Sequence, residues 1–152
     1  MSEGPPRLPT VWRPHRARAV VLPAAGLVLA GACLLAAALP AAWSITDRVG
    51  IALIGVAVDA VLLLLARPSL SADDEGLTVV NLVNRRRLAW SEVVRVGLSR
   101  HDSWAVLDLA DGTSLPVMAL QSSDGPRTRL AVVELAALIA ARGEVPEGGS
   151  RT

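Results

Sequence analysis

The sequence contains no lysine, phenylalanine or tyrosine, and its one cysteine is Cys33. A single cysteine cannot form an internal disulfide, and with only two histidines it argues against a structural zinc site. No P-loop, dinucleotide-binding or metalloprotease motif is present. The net charge of +1 gives no overall basic character that would favour nucleic acid. We therefore expect no cofactor, no metal and no nucleic-acid partner.

The basic residues are also unusual, because all 15 of them are arginine. We attribute this preference for arginine to a GC-rich genome rather than to function.

Two apolar runs, residues 19–39 and 49–66, dominate the N-terminal half. A helix needs about 20 apolar residues to cross the hydrocarbon core of a bilayer, and both runs lie within the spanning range. The linker 40–48 is long enough for a turn, and Trp43 within it would lie at the headgroup level. Two buried helices of a soluble protein are the alternative, but the remaining chain has too little apolar surface to cover them. The pattern predicts a transmembrane helical hairpin over residues 19–66.

Arginines flank this hairpin on both sides. Four lie within residues 1–18 and another follows the second run: Arg7, Arg13, Arg16, Arg18 and Arg67. Since cytoplasmic flanks collect basic residues, we expect a multi-pass protein of the inner (plasma) membrane with both termini in the cytoplasm. The prolines of residues 1–18 predict a disordered basic lead. A cleavable signal peptide is the alternative, in which case the second run would still anchor the chain.

Asp59 is the one charged residue within the second run. Such a carboxyl group usually faces a cavity or a partner, so it could serve a proton or ion relay. The simpler interpretation, which we favour, is that it faces the other helix or a second copy of the chain. Small residues that would allow close helix approach recur in both runs: Gly26, Ala30, Gly50 and Gly55.

Residues 67–143 change to short apolar runs separated by turn residues. The alternation predicts six strands, at residues 69–72, 77–82, 87–90, 93–98, 104–110 and 113–120. Asp111 and Gly112 form a strong hairpin signal between the last two strands. Pro116 lacks an N–H group, which predicts an edge strand or a bulge for the last one.

A C-terminal helix follows these strands. Ser123 or Asp124 can cap it, Pro126 suits its first turn and Gly143 can end it. Its apolar face comprises Val132, Leu135, Leu138 and Ile139. Residues 144–152 are predicted to form a disordered tail. The fold class is therefore α+β: a membrane hairpin, then a small antiparallel sheet or partial barrel with a helix over its open end.

Residues 69–142 carry motifs that resemble the bacterial PH-like domains of small two-span membrane proteins from high-GC bacteria. The matching positions are Gly76, Leu77, Asn81, Arg85, Arg86, Arg87, Trp90, Glu92, Val93, Asp111 and Gly112. Ala89 departs from the pattern, since a proline commonly precedes the tryptophan. The resemblance implies a PH-like cytoplasmic domain over residues 67–143. It also implies two roles, because PH domains bind phosphoinositides through basic residues of an early hairpin, whereas bacterial PH-like domains often act in assembly.

The residues that we predict to contact lipid or a partner are Arg85, Arg86 and Arg87. Near an inner leaflet, anionic lipid attracts each such residue by about 1 kcal/mol. The alternatives are contact with a protein partner or an exposed basic face without a ligand. No catalytic set is convincing, because His101, Asp102 and Ser103 are adjacent in sequence and triads need convergent geometry. The acidic run comprises Asp73, Asp74 and Glu75. We expect these carboxylates to be solvated rather than to bind calcium.

We therefore expect a membrane-anchored PH-like interaction or scaffold module that is not an enzyme. It would bind a protein partner or a second copy of itself. The alternative function is a sensor of anionic lipid headgroups at the inner leaflet.

Overall fold

The computed structural model describes residues 7–143, so the predicted tail 144–152 and the first six residues lie outside the described part. The chain divides into two compact units. The hairpin unit is His15–Arg67, and the sheet unit consists of the chain on both sides of it. The hairpin is thus inserted into the sequence of the sheet unit rather than placed before it.

The hairpin unit contains α1 (His15–Ala38) and α2 (Ile45–Leu65). Both helices are long and apolar enough to cross a membrane. Each begins a few residues before the predicted apolar run. The start of α2 is fixed by a capping box, in which the Asp47 N–H donates to Ser44 Oγ at 3.2 Å and the Ser44 N–H donates to Asp47 Oδ2 at 2.9 Å.

Arg48 closes the end of α1. Its guanidinium donates to four carbonyl oxygens over distances of 2.6–3.2 Å, those of Ala36, Ala37, Leu39 and Pro40. The last carbonyls of a helix have no partner within the helix, so this arginine satisfies groups that would otherwise need water.

The two helices approach closely at Gly55. A Cβ added at Gly55 would clash with the Ala32 Cβ, so only glycine fits there. Gly26 and Gly50, which were also expected to offer small faces, have open space around them. Within the described residues, Asp59 Oδ1 is buried without a hydrogen-bond partner. A proton or ion relay and a contact with the other helix or a second copy both remain predictions for this residue.

The sheet unit contains seven antiparallel strands in two sheets, followed by a helix. Sheet A has the order β1–β4 and sheet B the order β5–β7. The strands are β1 (Thr10–Trp12), β2 (Ser69–Ala72), β3 (Gly76–Val80), β4 (Arg85–Ala89), β5 (Val93–Gly97), β6 (Trp104–Leu109) and β7 (Ser114–Gln121). The final helix, α3, is Pro126–Gly143, and it ends at Gly143 as predicted. The predicted caps Ser123 and Asp124 lie in a short 3-10 turn, Ser122–Asp124, that precedes the helix. The α+β prediction is confirmed, and residues 67–143 supply six of the seven strands.

The strand β1 was not predicted. Its residues lie in the segment 1–18 that was expected to be disordered, yet they pair with β2 in the register Thr10↔Ala72, Val11↔Ser71 and Trp12↔Leu70. Proline is tolerated at strand ends and on edge strands, so Pro9 and Pro14 can flank an edge strand of three residues. Trp12 anchors this strand further, because its Nε1–H donates to Glu134 Oε2 on α3 at 3.1 Å.

One apolar core lies between the sheets and α3. The predicted alternation in β6 is confirmed, since Ala105, Leu107 and Leu109 are buried. On α3, Leu135, Leu138 and Ile139 are buried as predicted. Trp90 is also buried in the core.

Candidate interaction surfaces of the sheet unit

Three arginines occupy the first positions of β4. Arg85, Arg86 and Arg87 are all exposed, on a strand that forms one edge of sheet A. The structure therefore extends the strand back over Arg85 and Arg86, which were predicted to lie in the preceding turn. Charged side chains on an edge strand discourage pairing with other chains, which gives this cluster a structural role without any ligand.

Arg87 is neutralised by the acidic turn between β2 and β3. Its Nη2 lies 3.1 Å from Asp73 Oδ1 and 2.7 Å from Glu75 Oε2. The third carboxylate of the turn, Asp74, pairs with Arg142 of α3 at 2.8 Å. All three carboxylates are thus paired with arginine in this structure.

Arg86 faces the turn between β6 and β7, with its Nη2 3.8 Å from Asp111 Oδ2. Hydrogen bonds from the Thr113 side chain and backbone lower the pKa of Asp111, and Arg86 adds a weaker electrostatic effect. Asp111 is therefore ionised at neutral pH and available to compensate Arg86. In the described part of the chain, Arg85 has no ion pair.

The outer edge of β7 is bonded to sheet A through Asn81. The Asn81 Nδ2–H donates to the Pro116 carbonyl at 2.9 Å, and the Met118 N–H donates to Asn81 Oδ1 at 3.1 Å. One amide side chain thus replaces a neighbouring strand at this edge. The prediction that Pro116 lies on an edge strand is confirmed.

The other edge of sheet B borders a groove that the sequence did not indicate. It consists of two adjoining cavities of about 450 and 770 Å³ between β5 and α3, and Val96 lines both. We call it the β5–α3 groove. It runs from Trp90 and Gly143 at one end to Arg100 and Arg129 at the other.

His101, Asp102 and Ser103 lie in an exposed loop between β5 and β6. Asp102 Oδ2 accepts a hydrogen bond from the Ser99 N–H at 3.1 Å, which is a loop-closing role. Across residues 7–143, no cluster of three or more His, Cys, Asp or Glu side chains could hold a metal ion.

Comparison with known proteins agrees with the fold. A family model described as a bacterial PH domain matches residues 67–138. Uncharacterized proteins of Mycobacterium tuberculosis and Mycobacterium bovis are 34% identical over 145 residues, which cover 92% of this chain and 94% of each relative. No solved structure matches the chain.

Proposed function

Because this chain belongs to the bacterial PH domain family, we propose that it is a membrane-anchored interaction module, whose PH-like unit binds a protein partner at the cytoplasmic face of the cell membrane. The PH-like unit is the sheet unit described above. For the side of the membrane, the observation that carries the proposal is the pairing of β1 with β2, because these strands stand before and after the hairpin in the sequence.

This pairing supports a specific topology. A strand and its partner must lie on the same side of a membrane, so the chain between them must cross an even number of times or not at all. Two helices of spanning length lie between β1 and β2. Arg13, Arg16 and Arg18 precede or begin the first crossing, and Arg67 follows the second. Basic flanks favour the cytoplasmic side of a membrane. We therefore propose that both termini and the PH-like unit lie in the cytoplasm.

A protein partner has more support than a lipid headgroup. Arg86 and Arg87 are already close to carboxylates, so binding a phosphate would require them to exchange partners. Exposed ion pairs are weak, about 0–1 kcal/mol each, so they could be displaced, but each displacement lowers the gain from anionic lipid. Arg85 is the one arginine of the three that remains available for lipid in the described structure.

No catalytic reaction is proposed for this unit. His101 and Asp102 are exposed, and the Asp102 carboxylate is engaged in closing its own loop.

The proposal is tested by cross-linking the full-length protein in native membranes and purifying it with whatever is attached. Wild type is compared with a variant in which Arg85, Arg86 and Arg87 are all changed to alanine. We expect a stoichiometric protein partner with both, because the arginines are not its main contact. Absence of any specific protein, together with loss in the variant of anionic lipid that copurifies with wild type, would instead support lipid sensing.

A further inference from the structure

We propose that the β5–α3 groove binds an extended acidic segment of a partner protein, which adds as a further strand to the edge of β5. The inference rests on the proposed function and assigns its binding site. It follows from the free edge of the strand, the apolar lining of the groove and the charge around it.

The backbone of β5 is open on its outer side. Of the strands that the structure describes, β5 pairs only with β6 in sheet B, whereas β7 at the other edge is bonded to Asn81. Over the described residues, no backbone hydrogen bond reaches β5 from the groove side. An edge strand directs alternate N–H and C=O groups outwards, so an incoming extended segment can pair with them.

The groove offers apolar contacts along the same path. Val94 and Val133 are 59% and 66% exposed on its two walls, and Val96 lies between its two cavities. Val94 lines the first cavity from the strand, and Val133 lines the second cavity from the helix. They would cover alternate side chains of a segment lying between β5 and α3.

The charge of the groove favours an acidic occupant. Among residues 7–143, the charged side chains that line it are Arg95, Arg100 and Arg129, and none that lines it is acidic. Arg95 is paired with Asp108 at 2.6 Å, whereas Arg100 and Arg129 have no ion pair within the described chain. Two uncompensated guanidinium groups lie at one end of the groove. They would favour one orientation of the bound segment and acidic residues at the end that meets them.

The test uses full-length protein in nanodiscs of neutral lipid and a phage-displayed library of random peptides about 12 residues long. We expect the selected peptides to be acidic and free of proline at their centre. Binding should fall about tenfold when Arg100 and Arg129 are both changed to glutamate, and it should weaken as salt rises. The matched control is Arg127→Glu, on the same helix but outside the groove, which should leave affinity within about twofold.

A second pair of variants tests the apolar wall. Val133→Asp should lower binding of the selected peptides about tenfold, while the equally exposed Leu130→Asp, outside the groove, should not. Methylation of alternate backbone nitrogens of a selected peptide should abolish binding, because it removes the donors needed for strand addition.

Several results would overturn the inference. One is selection of peptides without net negative charge, or equal loss of binding in the Arg127→Glu control. Another is that only a chain truncated after Gly143 binds peptides, which would make its own C-terminal tail the occupant. If the library yields nothing while the cross-linked partner is still captured by the Arg100 and Arg129 double variant, the groove assignment fails and the proposed function stands.

Discussion

Replacing Gly76 with alanine is expected to destabilise the PH-like unit by about 3 kcal/mol, at the upper end of what overpacking costs. Gly76 ends the acidic turn and begins β3 against β4. A Cβ there would clash with the carbonyl oxygen of Leu88 and lie 3.1 Å from the Ala89 Cα. Both contacts are with backbone, so no side-chain rotation can relieve them and the two strands must separate.

The effect is measured by hydrogen exchange of the full-length protein in detergent, followed in peptides that cover β3 and β4. The control is Gly97→Ala in β5, where an added Cβ meets no atom within 4 Å. The control should retain wild-type protection, while Gly76→Ala should exchange at least about a hundredfold faster, since 1.4 kcal/mol corresponds to a factor of ten. Equal exchange in the two variants would show that β3 and β4 do not approach as described.

The predicted topology, with the hairpin loop outside and both ends in the cytoplasm, is expected to give all-or-none labelling at each position. In a Cys33→Ala background, single cysteines are placed at Val11 before the hairpin, at Ala42 in its loop and at Ser91 after it. We expect a membrane-impermeant maleimide to label only Ala42→Cys in cells whose outer layers admit the reagent. Val11→Cys and Ser91→Cys should react only after the plasma membrane is opened, because β1 and the later strands share one side.

Other labelling patterns would identify which assumption fails. Reaction of Val11→Cys alone would place β1 outside and break its pairing with β2. Loss of the Val11 site from the mature chain would support the signal-peptide alternative, since cleavage after the first apolar run removes β1. Equal labelling of all three sites before permeabilisation would exclude a membrane hairpin with cytoplasmic ends.

Much of the sheet unit was predictable because its signals are local. The alternation in β6, the Asp111 and Gly112 turn and the proline start of α3 each depend on a few neighbouring residues. β1 was missed for the opposite reason. A three-residue strand has no measurable period, and its partner β2 follows the whole hairpin in the sequence.

The candidate sites likewise have features that are evident from local sequence and features that only the folded unit shows. The basic character of Arg85, Arg86 and Arg87 is evident from the sequence, but their partners are not. Arg87 is paired with Asp73 and Glu75 because β3 pairs with β4, which only the register shows. The β5–α3 groove was not predictable at all, because it forms between a strand and a helix that meet only in the folded unit.

The pairing of β1 with β2 is tested most directly by a disulfide across the two strands. In the Cys33→Ala background, Val11 and Ser71 are both changed to cysteine, since they lie opposite each other in the register. Directly opposed residues have Cα atoms about 4.5–5.5 Å apart, within the range for a disulfide. Thr78 is the next residue along the same row, on β3, about two strand spacings from Val11.

Full-length protein in isolated membranes is oxidised mildly, and linked peptides are identified by mass spectrometry. If β1 pairs with β2, Val11→Cys with Ser71→Cys should crosslink almost completely, and Val11→Cys with Thr78→Cys should remain reduced. A Val11 and Ser71 pair that stays reduced, or two pairs that crosslink equally, would contradict the pairing of β1 with β2 and the shared side of the membrane inferred from it.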